Sequence, residues 1–193
     1  MAQISEPVTG RLKPFIRRFQ QYGAAPWLLD VVQHGYSLPF VDGRLPPPYF
    51  NNRNDFEPGS EQWARDEVHR LCEFGAVRAW SGPGKPSAVM PLKTIRKAGY
   101  SATNRKFRLC HNARYINRFL PHYKFPLDQL RDWGRLVQQF DRVWKTDISA
   151  AYLHVEIAPH HQRFLGFQLG QREDGSPRYY VFTSLPFGLS TAV

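Results

Sequence analysis

The sequence predicts an α+β fold, on three observations. A helix-period run at 60–75 is followed by short strand-like runs as far as residue 111. A second helix-period run covers 127–140, and further strand-like runs fill 143–184. Helices and strands thus come in blocks, the pattern of helices packed beside a mixed or antiparallel sheet. The 193 residues are 42% hydrophobic and 15% aromatic, which supplies a core and argues against wholesale disorder.

Residues 1–56 are proline-rich and irregular, and read as an extended amino-terminal arm that wraps the body. Within the arm, 27–32 is an apolar patch of one or two helical turns. The run Leu45-Pro46-Pro47-Pro48-Tyr49 lies extended, because proline has no amide donor and a fixed φ. The first helix is bounded by Ser60 as N-cap, Glu61 in the first turn and Gly75 at the left-handed closing position. Ala64, Val68, Leu71 and Cys72 repeat on one of its faces. Strands are expected at 76–80, 88–92 and 106–111, and the basic, glycine-containing stretch 93–105 reads as a mobile hairpin tip. The second helix turns Leu130, Trp133, Val137 and Phe140 inward, with Gly134 weakening it. Strands follow at 143–148, 152–157, 163–169 and 178–184, the last two joined by the turn Glu173-Asp174-Gly175-Ser176-Pro177.

The net charge of +10 points to a polyanionic partner, most often nucleic acid. Cys72 and Cys110 are isolated, so neither a disulfide framework nor a zinc site is expected. No basic leader runs into an apolar segment and no stretch is long and apolar enough to span a bilayer. An intracellular setting, nuclear or cytoplasmic, is therefore expected, with no membrane partner.

Three segments carry candidate chemistry. In Val143-Trp144-Lys145-Thr146-Asp147-Ile148-Ser149-Ala150-Ala151-Tyr152 a strand ends on a carboxylate, followed by small residues and an aromatic. A strand end is a rigid place for a metal-binding carboxylate, and small neighbours leave room for a bulky anion; taken alone, Asp147 reads more readily as a turn cap. In the segment from Lys106 to Asn117, Arg108 is either a phosphate clamp or a solvated strand charge, and Arg114 and Asn117 follow in a turn. In Phe182-Thr183-Ser184-Leu185-Pro186-Phe187-Gly188-Leu189-Ser190, Gly188 permits close backbone approach to a ligand, or simply serves a strand-to-helix turn. His154, His160 and His161 have poor ligand geometry for a transition metal.

Together and in this order, the three segments resemble the reverse transcriptases. Arg108-Leu109 through Asn117 is similar to the fingers motif W-R-L-V-V-D-Y-R-x-L-N. Asp147 to Tyr152 resembles palm motif A, D-L-x-x-A-Y, and Leu185-Pro186-Phe187-Gly188-Leu189-Ser190-Thr191-Ala192 resembles motif B, L-P-F-G-L-S-x-A. The intervening Ala158-Pro159-His160-His161-Gln162-Arg163-Phe164-Leu165-Gly166-Phe167 is similar to P-x-H-R-K-[FY]-L-x-F. Gly35-Tyr36-Ser37-Leu38-Pro39-Phe40, the leader from Gly10 to Trp27, and Asn117-Arg118-Phe119-Leu120-Pro121-His122-Tyr123 resemble the polymerases of DIRS-type retrotransposons. Phe107 replaces the usual tryptophan, Asn112 a common aspartate, and Ala150 an often polar residue. The 93–105 loop is longer than the family's lysine-rich tip, so Arg96, Lys97 and Arg105 all remain candidates for a second triphosphate contact.

The resemblance implies a right-hand polymerase, with the arm at 1–56, fingers at 57–140 and the first part of the palm at 141–193. The implied activity is RNA-directed DNA polymerisation, a nucleotidyl transfer using two Mg²⁺ ions. Asp147 and the Ile148 carbonyl would be metal ligands, with Asp147 catalytic. Arg108, Ala151, Tyr152, Phe187 and Gly188 would bind the nucleotide, Tyr152 excluding a ribose 2′-hydroxyl where the alternative is a core aromatic. Arg114 and Asn117 would contact template. The partners implied are an RNA or DNA template-primer, dNTPs, and the remaining palm, thumb and RNase H regions of a polyprotein. The sequence reaches Val193 without the family's Y-x-D-D carboxylates, so this chain alone is expected to be inactive. The competing expectation is a non-catalytic, basic nucleic-acid-binding remnant of a mobile element.

Overall fold

The computed structural model describes residues 7–99, 101, 106–122, 134, 137–142, 144, 148 and 150–191. Its helices are α1 (Ile16–Gln21), α2 (Pro26–His34), α3 (Glu61–Glu73) and the single turn α4 (Arg114–Asn117). Strands β1 (Tyr49–Phe50), β2 (Val77–Ala79), β3 (Ala88–Val89), β6 (Gly166–Gln171) and β7 (Pro177–Phe182) form one sheet in the order β1-β3-β6-β7-β2. The first two pairings are parallel and the other two antiparallel, so the sheet is mixed. Strands β4 (Leu92–Arg96) and β5 (Phe107–His111) make a separate antiparallel hairpin. Among the described residues no helix is long and apolar enough to cross a membrane.

Helix α3 forms for the reasons its spacing suggests: Ala64, Val68 and Leu71 are buried on one stripe, and Gly75 closes the helix at φ +70°. The Gly75 and Ala76 amides donate back to the Cys72 and Leu71 carbonyls, the paired bonds of a glycine-terminated helix. Ser60 precedes the helix, but its hydroxyl does not cap it. It is fully buried, donates to the Glu57 carbonyl and meets the Thr94 hydroxyl at 2.7 Å, tying α3 to β4. The first fifty-six residues also enter the core: Val8, Leu38 and Phe40 are buried, and Tyr49 and Phe50 pair with β3. His161 anchors this arm, its Nδ1 accepting the Leu38 amide at 2.9 Å and its ring meeting Phe40 edge-on.

Several expected elements differ. The strand at 88–92 is two strands, because Pro91 has no amide to donate and the chain leaves the sheet there for the hairpin. Residues 93–96, expected in the loop, belong to β4, and the Lys97 amide donates to the Lys106 carbonyl, so the hairpin tip is shorter than predicted. The strand at 152–157 is instead a 3-10 helix, Ala151–His154, whose Leu153 and Val155 amides are satisfied within the turn by Ala150 and Tyr152. Only Glu156 and Ile157 make isolated bridges. The strand at 163–169 begins later, at Gly166, because Pro159 opens a 3-10 helix, Pro159–Phe164, that takes up its first residues.

Most of the helix expected at 127–140 lies outside the described residues. Its described end, 137–140, is a turn with Phe140 at φ +76°, a conformation that a right-handed helix cannot continue. Val137 and Phe140, expected inward, are exposed. Of the strand expected at 143–148, only Trp144 and Ile148 are described, and both are exposed.

Candidate functional site

Strand β5 carries the site. Phe107, Leu109 and His111 point into the core while Arg108 is exposed, as strand alternation requires. On its far edge the 185–190 loop docks: the His111 amide donates to the Phe187 carbonyl at 2.8 Å. Asn117, in α4, holds the same loop through both amide atoms. Its Nδ2 donates to the Gly188 carbonyl and its Oδ1 accepts the Ser190 amide, each at 2.9 Å. Gly188 lies at φ +114°, and a Cβ there would come within 2.0 Å of the His111 carbonyl oxygen. The close approach expected of Gly188 is therefore made to the protein's own β5.

A cavity of about 270 Å³ opens beside this junction, lined among others by Glu67, Arg70, Lys97, Arg108, Tyr152 and Phe187. The Arg108 guanidinium carbon stands 5.3 Å from the Phe187 ring centroid, and the Tyr152 ring meets Phe187 edge-on at 5.3 Å. Phe187 thus touches a cation and an aromatic drawn from two other segments. Arg70 binds Glu67 with two parallel bonds, Nε to Oε2 at 2.8 Å and Nη2 to Oε1 at 2.6 Å. The hydrogen bond to that carboxylate holds the Arg70 guanidinium above its ordinary range. Three cations against one carboxylate leave the described wall with an excess of two positive charges, suited to an anionic ligand.

The choice among three candidate cations narrows. Arg96 pairs with Glu57 at 3.0 Å, Arg105 lies outside the described residues, and Lys97 lines the cavity with Arg108. A second depression of about 270 Å³ holds Asp55, Lys93, Arg114 and Gly188, with Lys93 bonded to Asp55 at 2.8 Å. That hydrogen bond raises the Lys93 ammonium above its usual range. Arg114 and Gly188 are therefore neighbours, apart from the Arg108 cavity. Ala151 is exposed and Ala150, at φ +54°, takes its place on the cavity wall. Asp147 lies outside the described residues, and Ile148 is exposed.

Sequence reasoning missed Glu67 and Arg70, which it assigned only to an amphipathic helix. The single available signal is their three-residue spacing, which places an acid and a base together beside the buried stripe. His111 is a further unforeseen feature: it is fully buried, its Nε2 donates to the Gly166 carbonyl at 3.2 Å, and Nδ1 has no partner. Burial lowers its pKa to about 4, against a smaller opposing pull from that carbonyl.

Among the described residues no group of three or more His, Cys, Asp and Glu side chains is placed to hold a metal ion. Glu67, the carboxylate on the cavity wall, already has both oxygens bound to Arg70. The described residues by themselves do not fit a Mg²⁺ pair.

No protein-family model matches the chain, and no curated protein matches it. Among solved structures it is similar to the crystal structure of the prototype foamy virus protease–reverse transcriptase, with a TM-score of 0.53 and 17% identity. The match covers 80% of this chain and 19% of that chain. At that identity the likeness is one of fold: a mixed α/β chain with a mixed sheet, like part of a retroviral reverse transcriptase.

Proposed function

We propose that the chain is the fingers and first palm portion of a reverse transcriptase, and that the Arg108 cavity receives the incoming deoxynucleotide. One observation carries the reading. Arg108, Tyr152 and Phe187 come from three motifs far apart in sequence and line one cationic cavity with Lys97. Arg108 and Lys97 would hold the triphosphate, the guanidinium through paired hydrogen bonds. Tyr152 would lie under the sugar and reject a 2′-hydroxyl by bulk, and Phe187 would pack on the nascent base pair. Arg114, with Lys93 beside it, would meet the template phosphates; Asn117 would act by holding the 185–190 loop.

The reaction is attack of a primer 3′ oxygen on the α-phosphorus, with pyrophosphate leaving. Mg²⁺ would supply activation of the attacking oxygen and stabilisation of the leaving group. By the motif resemblance, Asp147 and the Ile148 carbonyl would hold the metal. Residues 57–140 would be fingers, 141–193 palm, and 1–56 an arm. A DIRS-type origin rests on the motif resemblance alone.

The test is photocrosslinking of a labelled dNTP to the chain in the presence of a template-primer and Mg²⁺. Arg108→Ala should reduce labelling tenfold or more, and Tyr152→Val should raise ribonucleotide labelling relative to deoxynucleotide while Tyr152→Phe does not. Equal labelling of wild type and Arg108→Ala, or none of either, would remove the nucleotide assignment.

A further inference from the structure

The amino-terminal helices carry a surface that the nucleotide cavity does not use. Residues 7–29 contain Arg11, Lys13, Arg17 and Arg18 and no acidic residue. Lys13 is spent on an ion pair with Glu156, whereas Arg17 and Arg18 are exposed with no ion pair among the described residues. Three aromatic side chains in the same stretch face solvent: Phe15 is 48% exposed, Tyr22 86% and Trp27 68%. Exposed single apolar residues are ordinary. Their arrangement is less so.

The 3-10 helix Lys13–Phe15 runs directly into α1, so Phe15, Arg18 and Tyr22 recur at i, i+3 and i+7, the spacing of one helical face. The Arg18 guanidinium carbon stands 5.6 Å from the Phe15 ring centroid. The stripe reads aromatic, cation, aromatic over about 10 Å at the helical rise. Five residues beyond Tyr22, Trp27 stands in the first turn of α2. The half-buried Phe19, one turn on from Phe15, lies beside the stripe on its inner edge.

We infer that this face is a binding platform for single-stranded nucleic acid, separate from the nucleotide cavity. Aromatic rings spaced between cations let successive bases stack while guanidinium groups meet the phosphates, which binds single strands with little sequence preference. Charge complementarity favours this occupant: Arg17 and Arg18 have no ion pair among the described residues, the neighbouring Asp30 is taken up by His34 at 2.9 Å, and the whole chain carries +10. The inference does not depend on the polymerase reading. If both stand, they are mechanically joined. The Thr9 hydroxyl donates to the Leu153 carbonyl at 3.1 Å and Lys13 grips Glu156, so the platform is fastened to the segment that follows Tyr152. A strand held there would lie at a fixed position relative to the cavity.

The test uses the full chain and fluorescein-labelled oligo-dT and oligo-rU, read by anisotropy at low salt. The double variant Tyr22→Ala/Trp27→Ala and the double variant Arg17→Gln/Arg18→Gln should each weaken binding tenfold or more. Tyr22→Phe/Trp27→Phe should restore it, because rings and not polar atoms do the stacking, and this rescue excludes a folding defect. With template-primer at saturating concentration, all three should leave dNTP crosslinking to the chain unchanged, so failure of the platform and failure of the nucleotide assignment give different results. Affinity within twofold of wild type in both disrupting variants would overturn the inference. So would a loss confined to phosphatidylserine vesicles, which would make the face a membrane-surface site.

Discussion

Acid should destabilise this fold through His111, and the amount can be worked out. The imidazole is wholly buried against Phe167 and Phe182, with ring centroids 6.3 and 5.0 Å away. Its folded pKa, lowered to about 4 from the ordinary 6.5, favours the neutral form in the native state. The unfolded chain therefore takes up this proton first as pH falls. The stability His111 confers is fully present above about pH 6.5 and is lost as pH falls from there to about 4. At about 1.4 kcal/mol per pH unit, a gap of that size is worth roughly 3 kcal/mol. His111→Leu removes the titration with little other damage. The Gly166 carbonyl keeps its bond from the Met90 amide at 2.9 Å, and the unpartnered Nδ1 disappears. Urea unfolding followed by circular dichroism at about pH 7.5 and about pH 4.5 measures the effect. The wild type should lose roughly 2 to 3 kcal/mol more than His111→Leu between the two. His161, also lowered to about 4 by burial and by its neighbours His160 and Arg163, titrates in the same direction in both proteins and cancels. Equal losses in the two proteins would show that His111 is solvated in the native state.

Three further outcomes follow from the same geometry. Gly188→Ala should cost more than about 2 kcal/mol in denaturant unfolding, since the new Cβ meets the His111 carbonyl at 2.0 Å and the φ of +114° disfavours any side chain. Asn117→Ala should lower stability by about 1–2 kcal/mol by leaving the Gly188 carbonyl and Ser190 amide without their partner, and equal stability would return Asn117 to a purely template-facing role. Duplex binding should fall steeply with salt, with a log–log slope of about 3 to 5 that Arg114→Ala reduces by about one; a flat dependence would make the +10 charge a matter of solubility.

The parts of the fold legible in the sequence are those whose cause is local. Helix α3 is announced by one-face spacing and by Gly75, and both act within a few residues. The β6–β7 hairpin is announced by its turn, where the Asp174 carboxylate accepts the Ser176 amide at 2.8 Å and the Arg172 amide bonds the Ser176 carbonyl. What escaped is decided by distant partners. Ser60 looks like a cap, but Thr94, thirty-four residues on, claims its hydroxyl. The apolar run after Ala150 looks like a strand, yet its amides are satisfied inside a single turn. Arg108 was legible as a candidate anion contact, while Glu67 and Arg70 were not, because nothing in a helix pattern tells which solvent-facing residues will border a cavity.

Distant partners also hold the motifs around Arg108 and Phe187 together. Strand β5 pairs with β4 on one edge only, which leaves an edge of backbone donors inside the protein to be satisfied. The 185–190 loop satisfies it: Phe187 accepts the His111 amide, Gly188 lets the two backbones touch, and Asn117 bonds the loop on either side of Leu189. A glycine and an asparagine 71 residues apart in the sequence are thus two halves of one joint. That joint sets Phe187 between Arg108 and Tyr152. Loosening the joint should displace Phe187 and disturb the cavity without altering any of its charges. Asn117→Ala is accordingly expected to weaken dNTP crosslinking even though Asn117 is not among the residues that line the cavity. Crosslinking unchanged in a folded Asn117→Ala protein would mean that the cavity is held by β5 and the 3-10 turn alone.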